Sequence, residues 1–470
     1  MNFTYYLQEL KDNLQLGSER SHYYALKTLI DSAEIGINAI IEERGNQVGI
    51  PDFTVRKNNS LIGYIEAKKI GENLNNIQES EQLKRYFESS VGQNLILTNF
   101  LEFRWFQDGK LQLVANVGVL KDEQILGMKT PEKITKLLKS FVNYRPKQIN
   151  NYLDLAQQMA SYTKSIKFAI ADGLNLEDDT GELTKLKLTF QELLLPDLDN
   201  QNFADMYAQT IAYGLFTARV GHAQSPPTPL SKGGERGDTP LTKGGLRGEQ
   251  SVFNRKTASF YITNKIPFLK GLFRTVIETD IISKINWSID NLVELFANVD
   301  MNNILENFGQ KTKREDPVVH FYETFLGNYE ASLRKSRGVY YTPEPVVSFI
   351  VKFVNDILDH DFDLENGFGN RKVTILDPAT GTGTFLYEII KQIYENFTQY
   401  GVKNWTKLFK DNQVLQRLYG FELLMTPYAI AHLKLQLLLE TLGYKFDENE
   451  RLNIFLTNAL DQGVKKSEFL

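Results

Sequence analysis

The fold of the C-terminal part of the chain is decided by Thr374-Ile375-Leu376-Asp377-Pro378-Ala379-Thr380-Gly381-Thr382-Gly383-Thr384-Phe385. An apolar segment ends in an acid, turns through two glycines and opens into a helical pattern. Glycine lets a ligand approach the backbone closely, and the first turn of a helix leaves N–H groups unpaired. Neither G-x-G-x-x-G nor G-K-[ST] occurs here, which argues against a dinucleotide or P-loop site. The loop suits a ligand with a carboxylate and an ammonium group, and Asp377 can hold the ammonium directly or through water.

Strand and helix patterns alternate around this loop. The predicted elements, in chain order, are the helix Pro345–Asp359, the strand Val373–Leu376, the helix Thr384–Tyr400, the strand Arg417–Phe421, the helix Tyr428–Leu442 and the strand Asn453–Leu456. This alternation predicts βαβ units on a parallel sheet. At the tip of the second strand, Glu422 can accept the two hydroxyls of a ribose, as an acid does in dinucleotide-binding folds.

The order of three motifs carries a family resemblance. The segment GVYYTPEPVV begins at Gly338, DPATGTGTF begins at Asp377, and GFE ends at Glu422. Together they resemble adenine-N6 DNA methyltransferases of the γ arrangement, whose cofactor is S-adenosyl-L-methionine. The resemblance implies a cofactor site made by Tyr341, Thr342 and Pro343 over the methionine, by Asp377, Ala379, Gly381 and Gly383 in the loop, and by Glu422 at the ribose. Asn458 is the candidate for contact with the cofactor adenine, although a strand-end Asn that caps a turn is an equally good interpretation.

The catalytic motif of that family has the form [DNS]-P-P-[YFW], and it acts on a base taken out of the duplex. The one Pro-Pro pair of this sequence is Pro226-Pro227, inside a repeat, and ten residues follow Leu460. We therefore expect the catalytic loop and the target-recognition domain to be absent. Methyl transfer to double-stranded DNA would then require a C-terminal methyltransferase and target-recognition polypeptide as a partner.

A second candidate site lies near the N-terminus. Two extended runs, Pro51–Arg56 and Leu61–Lys69, flank a polar turn and predict a hairpin. Glu66 and Lys68 are two residues apart and share a face of the second strand. Asp52 and Glu66 can approach one another and bind a divalent metal through oxygen, which is the preference of Mg²⁺. Lys68 would orient the attacking water or stabilise the developing charge.

These residues and their surroundings resemble the PD-(D/E)xK nucleases, in particular the nuclease domain of type ISP and type IIG restriction enzymes. The supporting context is a helix over Asn76–Ser89, a strand over Asn94–Asn99 and a hairpin folded at Asp108-Gly109. The resemblance places Gln82 in the site. Glu19 is a further candidate acid, with a solvated helix face as the alternative. For Asp52, Glu66 and Lys68 the alternative is a set of surface salt bridges on a hairpin.

The chain of 470 residues is long enough for roughly three domains. We predict a nuclease-like α/β domain at 1–145 that opens with helices as far as Arg44, an α-helical connector at 146–335, and the N-terminal half of a Rossmann-like methyltransferase domain at 336–470. The fold class is thus α/β and α. An 11-residue repeat, TPLSKGGERGD followed by TPLTKGGLRGE, predicts a disordered insertion at 224–250.

The composition narrows the class of protein further. The absence of cysteine excludes disulfides and thiolate zinc sites. We find no secretory signal and no apolar run of membrane-spanning length, so we expect a cytoplasmic protein without a membrane partner. A net charge of −5 leaves DNA binding to local basic clusters, which are also typical of solvated faces. Two alternatives stay open: a free-standing Mg²⁺-dependent DNA nuclease, and a non-catalytic remnant that binds S-adenosyl-L-methionine or DNA.

Overall fold

The structure of the protein, a computed structural model, describes residues 1–16, 18–42, 48–127, 131–193, 195–224, 253–261, 284–304, 317–329, 342–399, 404–447 and 450–460. In chain order its helices and strands are α1 (Phe3–Asp12), α2 (Tyr23–Asp31), β1 (Ile37–Ile41), β2 (Phe53–Lys57), β3 (Ser60–Ala67), α3 (Leu74–Gln78), α4 (Glu81–Glu88), β4 (Asn94–Thr98), β5 (Glu102–Gln107), β6 (Lys110–Asn116), β7 (Gly118–Lys121), β8 (Gln124–Gly127), α5 (Glu132–Val142), α6 (Tyr152–Leu176), α7 (Glu182–Leu193), α8 (Asn200–Gln224), α9 (Arg255–Tyr261), α10 (Asn286–Ala297), α11 (Pro317–Tyr329), α12 (Glu344–His360), β9 (Ile375–Asp377), α13 (Thr384–Thr398), α14 (Trp405–Asp411), α15 (Val414–Arg417), β10 (Leu418–Glu422), α16 (Met425–Thr441) and β11 (Asn453–Leu456).

The chain divides into two compact units. The first unit contains Met1–Asn150, Gln157–Glu177 and Ser283–Asn291, and the second contains Asn151–Ala156, Asp178–Ile282 and Leu292–Leu470. Both units mix helices with a sheet, which is the mixed α/β character expected from the sequence. The three-domain division given above stays a prediction.

The first unit is built on a six-stranded sheet in the order β1-β2-β3-β4-β5-β6. Its neighbouring strands are antiparallel except for β3 and β4, which are parallel and joined through α3 and α4. Apolar side chains of α1, α2 and α5 meet the sheet in one core that includes Leu26, Phe53, Phe103 and Phe141. Burying each such side chain stabilises the unit by roughly 1.5–3 kcal/mol. The core therefore fixes the sheet on which the candidate nuclease residues stand.

Both predicted hairpins are confirmed. The turn between β2 and β3 is Asn58-Asn59, with φ of 50° and 71°, and the turn between β5 and β6 is Asp108-Gly109, with φ of 50° and 71°. Two consecutive residues of positive φ are what a type I′ hairpin turn requires, and Asn, Asp and Gly adopt them most readily. The predicted strand Asn94–Asn99 is also confirmed, as β4.

Two predictions in this unit are wrong in detail. The opening region is not helical as far as Arg44, because β1 forms at Ile37–Ile41 and pairs with β2. Gly36, at φ of +84°, follows the helical turn, and the buried and exposed positions of β1 then alternate with the period of a strand. The helix predicted over Asn76–Ser89 is two helices. Ser80 stands between them in an extended conformation and caps α4 by accepting from Leu83 N.

The second unit contains most of the connector helices and the smaller sheet. Within 146–335 the described residues form helices α6 to α11, as the helical spacing predicted. The predicted insertion at 224–250 lies outside the described residues, apart from Gln224 at the end of α8. The sheet has the order β11-β10-β9, and both pairs are parallel as predicted. Helix α16 packs against α8, α13 and β11, which explains why it is apolar on every side.

Helices α14 and α15, between α13 and β10, are absent from the sequence prediction because segments this short contain too few turns to show a period.

Among the described residues, no helix combines the length and the apolar character that crossing a lipid bilayer demands.

Candidate functional site

The hairpin register brings the N-terminal acids together. Phe53 pairs with Ile65 across β2 and β3, so Asp52 lies beside the end of β3 that carries Glu66. Asp52 Oδ2 accepts from the backbone N–H of Ala67 at 2.8 Å. This bond fixes the Asp52 carboxylate at the sheet end, where β3 meets β4 and the backbone N–H of Lys68 donates to Thr98 O at 2.8 Å.

A set of side chains lies around this point, and we call Asp52, Glu66, Lys68, Gln82 and Tyr86 together the Glu66 network. Lys68 Nζ lies 2.5 Å from Glu66 Oε1, and Gln82 Nε2 donates to the same oxygen at 3.1 Å. Gln82 Nε2 also donates to Tyr86 OH at 2.9 Å within α4, so the bond from Gln82 to Glu66 connects this helix to β3. The structure thus places all four predicted residues, Asp52, Glu66, Lys68 and Gln82, in one site.

Burial and neighbouring charge dominate the electrostatics of the network. Glu66 is 3% exposed. Burial, followed by the charge of Asp52, raises the pKa of Glu66 to about 7, against the opposing effect of Lys68. Burial lowers the pKa of Lys68, but the charges of Glu66, Asp52 and Glu19 outweigh it and the net pKa is raised. Ionisation of Glu66 is therefore unfavourable even with the Lys68 ammonium beside it, and a further cation bound at this place would favour the ionised form.

The donor set of the Glu66 network fits a hard divalent cation. Asp52 and Glu66 offer carboxylate oxygens, the ligands Mg²⁺ prefers, and Mg²⁺ is commonly held by one or two carboxylates with water and substrate phosphate completing its shell. In the part of the chain that the structure describes, no group of three or more His, Asp or Glu side chains is arranged to hold a metal. Asp52 and Glu66 would therefore be the carboxylate ligands of a bound Mg²⁺.

Two tyrosines near the site were missed by the sequence analysis. Tyr23 OH lies 2.7 Å from Glu19 Oε1 and 2.7 Å from Asp52 Oδ1. Glu19 was offered as a further acid or as part of a solvated helix face, and the structure puts its carboxylate on the same tyrosine that contacts Asp52. Tyr86 was missed as a hydrogen-bond partner of Gln82. Each tyrosine follows its partner by four residues, and that helical spacing is a signal the sequence offered.

The second candidate site is the segment Asp377–Thr384, which we call the glycine loop. Thr380 anchors it, because its N–H donates to Phe421 O at 2.9 Å and its Oγ1 donates to Asp377 O at 3.0 Å. Gly381 and Gly383 have φ of +56° and +78°. A Cβ on Gly381 would meet no atom within 4 Å, whereas a Cβ on Gly383 would lie 3.2 Å from Ala431 Cβ. The loop is therefore packed behind Gly383 and open at Gly381.

Asp377 has one satisfied and one unsatisfied oxygen. Its Oδ1 accepts from the backbone N–H of Ala379 at 3.2 Å. Its Oδ2 is buried and has no hydrogen-bond partner among the described residues. Burial raises the pKa of Asp377. A buried acceptor without a partner is costly unless a ligand supplies a donor, so this oxygen fits the ammonium group of an amino-acid ligand.

Glu422 is bound to the loop itself. Its Oε2 accepts from Gly381 N at 2.8 Å, and its Oε1 accepts from Leu424 N at 2.8 Å. Burial raises the pKa of Glu422 in spite of these bonds. A carboxylate has about four lone-pair positions, so Glu422 retains the capacity to accept from ribose hydroxyls as well. The sequence did not predict that Glu422 accepts a hydrogen bond from the backbone N–H of Gly381.

The other residues predicted to contact the cofactor are exposed, cap a turn or lie outside the described residues. Tyr341 lies outside the described residues. Thr342 and Pro343 are exposed, and Pro343 is the N-cap residue of α12. Ala379 is exposed next to Asp377. Asn458 Oδ1 accepts from Leu460 N at 3.0 Å, which is the turn-capping geometry that was the alternative for this residue.

Residues 313–463 match the family model described as N-6 DNA Methylase. No curated protein matches the chain. A structure of a DrdV–DNA complex is 20% identical, with a TM-score of 0.39, over 98% of this chain and 40% of that chain. A nuclease-deletion mutant of the type ISP restriction-modification enzyme LlaGI with a DNA substrate mimic is 18% identical, with a TM-score of 0.39, over 69% of this chain and 22% of that one. The ATP-dependent type ISP restriction-modification enzyme LlaBIII bound to DNA is 17% identical, with a TM-score of 0.40, over 70% of this chain and 19% of that chain.

The chain spans less than half the length of each of these three proteins. Similarity at this level carries no argument about function. The family match is what indicates a DNA methyltransferase-type region over 313–463, and S-adenosyl-L-methionine is the cofactor that such a region implies.

Proposed function

We propose that this protein is a restriction-modification protein that combines a Mg²⁺-dependent DNA endonuclease module with the cofactor-binding part of an adenine-N6 DNA methyltransferase. The observation that carries the proposal is the Glu66 network, a buried glutamate with a half-buried aspartate and a lysine beside it, in the same chain as a match to N-6 DNA methylases. Two such activities in one chain are useful together, since methylation protects the sites that the nuclease would otherwise cut.

In the nuclease module Asp52 and Glu66 would hold the Mg²⁺. When bound, the ion supplies charge compensation at the scissile phosphate and activates water. Gln82 orients the Glu66 carboxylate through its 3.1 Å hydrogen bond. Lys68 places an ammonium group beside the reacting phosphate, where it stabilises developing negative charge. The raised pKa of Glu66 favours this assignment over a surface salt-bridge set, because Glu66 is 3% exposed.

In the methyltransferase module the glycine loop would hold the amino-acid end of S-adenosyl-L-methionine. The open side at Gly381 leaves room for the ligand, and the unpartnered Asp377 Oδ2 would accept from its ammonium group. Glu422 would bind the ribose. A [DNS]-P-P-[YFW] segment would meet the target adenine in double-stranded DNA, and a C-terminal methyltransferase and target-recognition polypeptide would supply it.

The first test is plasmid cleavage by the purified chain with Mg²⁺ and with EDTA. We expect Mg²⁺-dependent nicking that Lys68→Ala reduces by at least about 100-fold, as for the loss of a group that stabilises transition-state charge. Lys69→Ala is the matched control, because Lys69 is the adjacent exposed lysine, and it should cleave like the wild type. Equal cleavage by Lys68→Ala and wild type would show that the site is assigned wrongly.

Isothermal titration calorimetry with S-adenosyl-L-methionine, together with the cleavage assay, distinguishes this proposal from the two alternatives. Cofactor binding together with cleavage supports the fused protein. Cleavage without cofactor binding leaves a free-standing nuclease, and binding without cleavage leaves a non-catalytic cofactor-binding or DNA-binding protein.

A further inference from the structure

A cavity of about 410 Å³ lies within the first unit, behind the Glu66 network. Its walls are α4, the C-terminal half of α6 and the loop at 48–50. Six of its lining residues carry the argument: Gln82, Arg85, Tyr86, Phe168, Asp172 and Asn175. No role in metal binding or in cofactor binding assigned above involves the α6 wall of this cavity.

The cavity is joined to the Glu66 network on two sides. Gln82 and Tyr86 line the cavity and also form the hydrogen-bonded chain that reaches Glu66 Oε1. The loop wall ends two residues before Asp52. At Gly49 this loop is pressed onto α6, since a Cβ there would lie 3.2 Å from Asp172 Oδ2. A group held in the cavity would therefore sit next to whatever is bound at Asp52 and Glu66.

The side chains that line the cavity indicate which kind of ligand it can bind. Its charged residues, Arg85 and Asp172, pair with each other at 2.5 Å, so the cavity has no net charge to offer a phosphate. The Arg85 guanidinium lies over the Phe168 ring, 5.7 Å from its centroid. The Phe168 ring and the Arg85 guanidinium are planar and can stack on a ligand. Gln82 and Asn175 can form hydrogen bonds with the edge of that ligand. The cavity therefore suits a neutral planar ligand that has polar groups around its edge.

We propose that this cavity accepts a nucleobase taken out of the DNA stack beside the phosphate held at the Glu66 network. This inference rests on the proposed cleavage of DNA, and it adds a base-binding pocket to that site. The backbone of one nucleotide links a phosphate to a base, so a phosphate at Asp52 and Glu66 brings the neighbouring base to Gln82 and Tyr86. Stacking on aromatic side chains is tolerant of sequence because every base has a flat face.

Photo-crosslinking tests the pocket without requiring cleavage. A single-stranded oligonucleotide and a duplex with one mismatch, each carrying 5-iododeoxyuridine, are bound to the full chain with Ca²⁺ in place of Mg²⁺. Irradiation joins the base to an aromatic ring stacked on it, and mass spectrometry identifies the peptide. We expect crosslinks in the α6 peptide that carries Phe168 or in the α4 peptide that carries Tyr86. Crosslinks confined to other peptides, or no crosslink at all, would overturn the proposal.

Two substitutions sharpen the result. Phe168→Ala removes the stacking surface and should weaken oligonucleotide binding roughly ten-fold. Leu176 is 72% exposed at the end of α6 and lines the cavity, so Leu176→Asp introduces a charge at the entrance with little risk to folding, and it should lower the crosslink yield several-fold. Leu153→Asp makes the same change at an exposed leucine at the other end of α6, away from the cavity, and should leave the yield unchanged.

Failure of the pocket and failure of the proposed nuclease give different results. Plasmid cleavage that depends on Lys68, together with equal crosslinking by wild type and Leu176→Asp, would refute the pocket and leave the nuclease in place. Crosslinking at Phe168 that is lost in Leu176→Asp, without any cleavage, would support the pocket and refute the nuclease.

Discussion

The Glu66 network and the glycine loop hold their acids in different ways. In the network, most contacts join side chains: Lys68 and Gln82 both reach Glu66 Oε1, and Tyr23 reaches Asp52, which also accepts from the backbone N–H of Ala67. In the glycine loop, side chains bind the backbone: Asp377 accepts from Ala379 N, and Glu422 accepts from Gly381 N and Leu424 N. Asp52 and Lys68 therefore shift the pKa of Glu66, whereas the acids of the loop hold the backbone in its shape.

This difference predicts how each region responds to substitution. A change in the network should alter charge and metal binding while the sheet stays intact, because β2, β3 and β4 are held by their own backbone bonds and by the buried core. A change in the loop should alter the path of the backbone as well as the ligand contact. Four predictions test the comparison.

The largest effect is expected from Glu66→Gln. The amide keeps the size of the side chain and removes the negative charge, so we expect cleavage to fall by at least about 100-fold, as for loss of a metal ligand or of a charge that stabilises the transition state. Mg²⁺ should raise the thermal midpoint of the wild type but not of Glu66→Gln. Glu81→Gln, at an exposed acid beside Gln82, is the control and should match the wild type in both assays. A Glu66→Gln protein that cleaves normally would remove Glu66 from the site.

The second prediction concerns pH in the absence of metal. The pKa of Glu66 is raised from 4.5 to about 7 in the folded protein, so the fold favours the protonated form. The stabilisation that this provides is fully present below pH 4.5 and is lost as pH rises through 7. Between pH 4.5 and pH 7.5 the wild type should lose roughly 2–3 kcal/mol of its free energy of unfolding relative to Glu66→Gln.

Urea unfolding in EDTA, at several pH values, measures this difference, and effects of other groups cancel between the two proteins. Added Mg²⁺ should remove most of the loss in the wild type, since a bound cation favours the ionised carboxylate. Parallel pH profiles for the two proteins would show that Glu66 titrates normally.

The third prediction moves to the glycine loop. In Glu422→Gln one carboxylate oxygen becomes an amide nitrogen that faces either Gly381 N–H or Leu424 N–H, so one backbone donor loses its acceptor, at a cost of about 1–3 kcal/mol. We expect at least ten-fold weaker binding of S-adenosyl-L-methionine and faster amide exchange at Gly381. Asp377→Ala should weaken binding to a similar extent but leave the exchange at Gly381 closer to that of the wild type, since Asp377 does not bind that N–H.

Asp361→Ala, at an exposed acid after α12, is the control for both loop variants. Unchanged cofactor affinity in Asp377→Ala and Glu422→Gln together would mean that the loop is not the cofactor site.

The sequence predicted the elements that carry a strong local signal. The two hairpins were found because Asn58-Asn59 and Asp108-Gly109 are typical of turns with positive φ, and the parallel strands were found because apolar segments alternate with long helical patterns. Strand β1 was missed because only a short turn separates Ile37–Ile41 from α2 and the alternation of β1 covers only five residues. The break before α4 was missed because its signal is a single capping residue, Ser80.

The site residues also divide into those with a strong local signal in the sequence and those without one. Asp52, Glu66 and Lys68 could be predicted because a hairpin with a known face brings them together. The contact of Tyr23 with Asp52 could not, because it depends on where α2 lies against β2, which is fixed by packing of Tyr23 on Phe53 at 4.9 Å between ring centroids. The bond from Gly381 N to Glu422 joins the glycine loop to the end of β10 and likewise follows from tertiary structure alone.

The smallest expected effect is also the most specific test of the comparison. Tyr23→Phe keeps the ring in its place against Phe53 and removes the hydroxyl that lies 2.7 Å from both Glu19 and Asp52. A hydroxyl has one hydrogen and donates to one of these carboxylates at a time, so its loss removes one hydrogen bond from this pair of acids without removing a carboxylate, and Asp52 keeps its bond from the backbone N–H of Ala67. We expect the Mg²⁺ concentration for half-maximal cleavage to rise about three- to ten-fold, with little change in the rate at saturating Mg²⁺, since loss of one hydrogen bond to a charged group costs about 1.5 kcal/mol.

Tyr24→Phe makes the same substitution at the next residue, whose ring is 76% exposed, and should leave the Mg²⁺ dependence unchanged. If Tyr23→Phe instead lowered the saturated rate without shifting the Mg²⁺ requirement, the hydroxyl would act on the reacting groups rather than on the position of Asp52. A network of side chains that position one another should show the first pattern, because each contact tunes the affinity for the cation and the sheet beneath it keeps its shape.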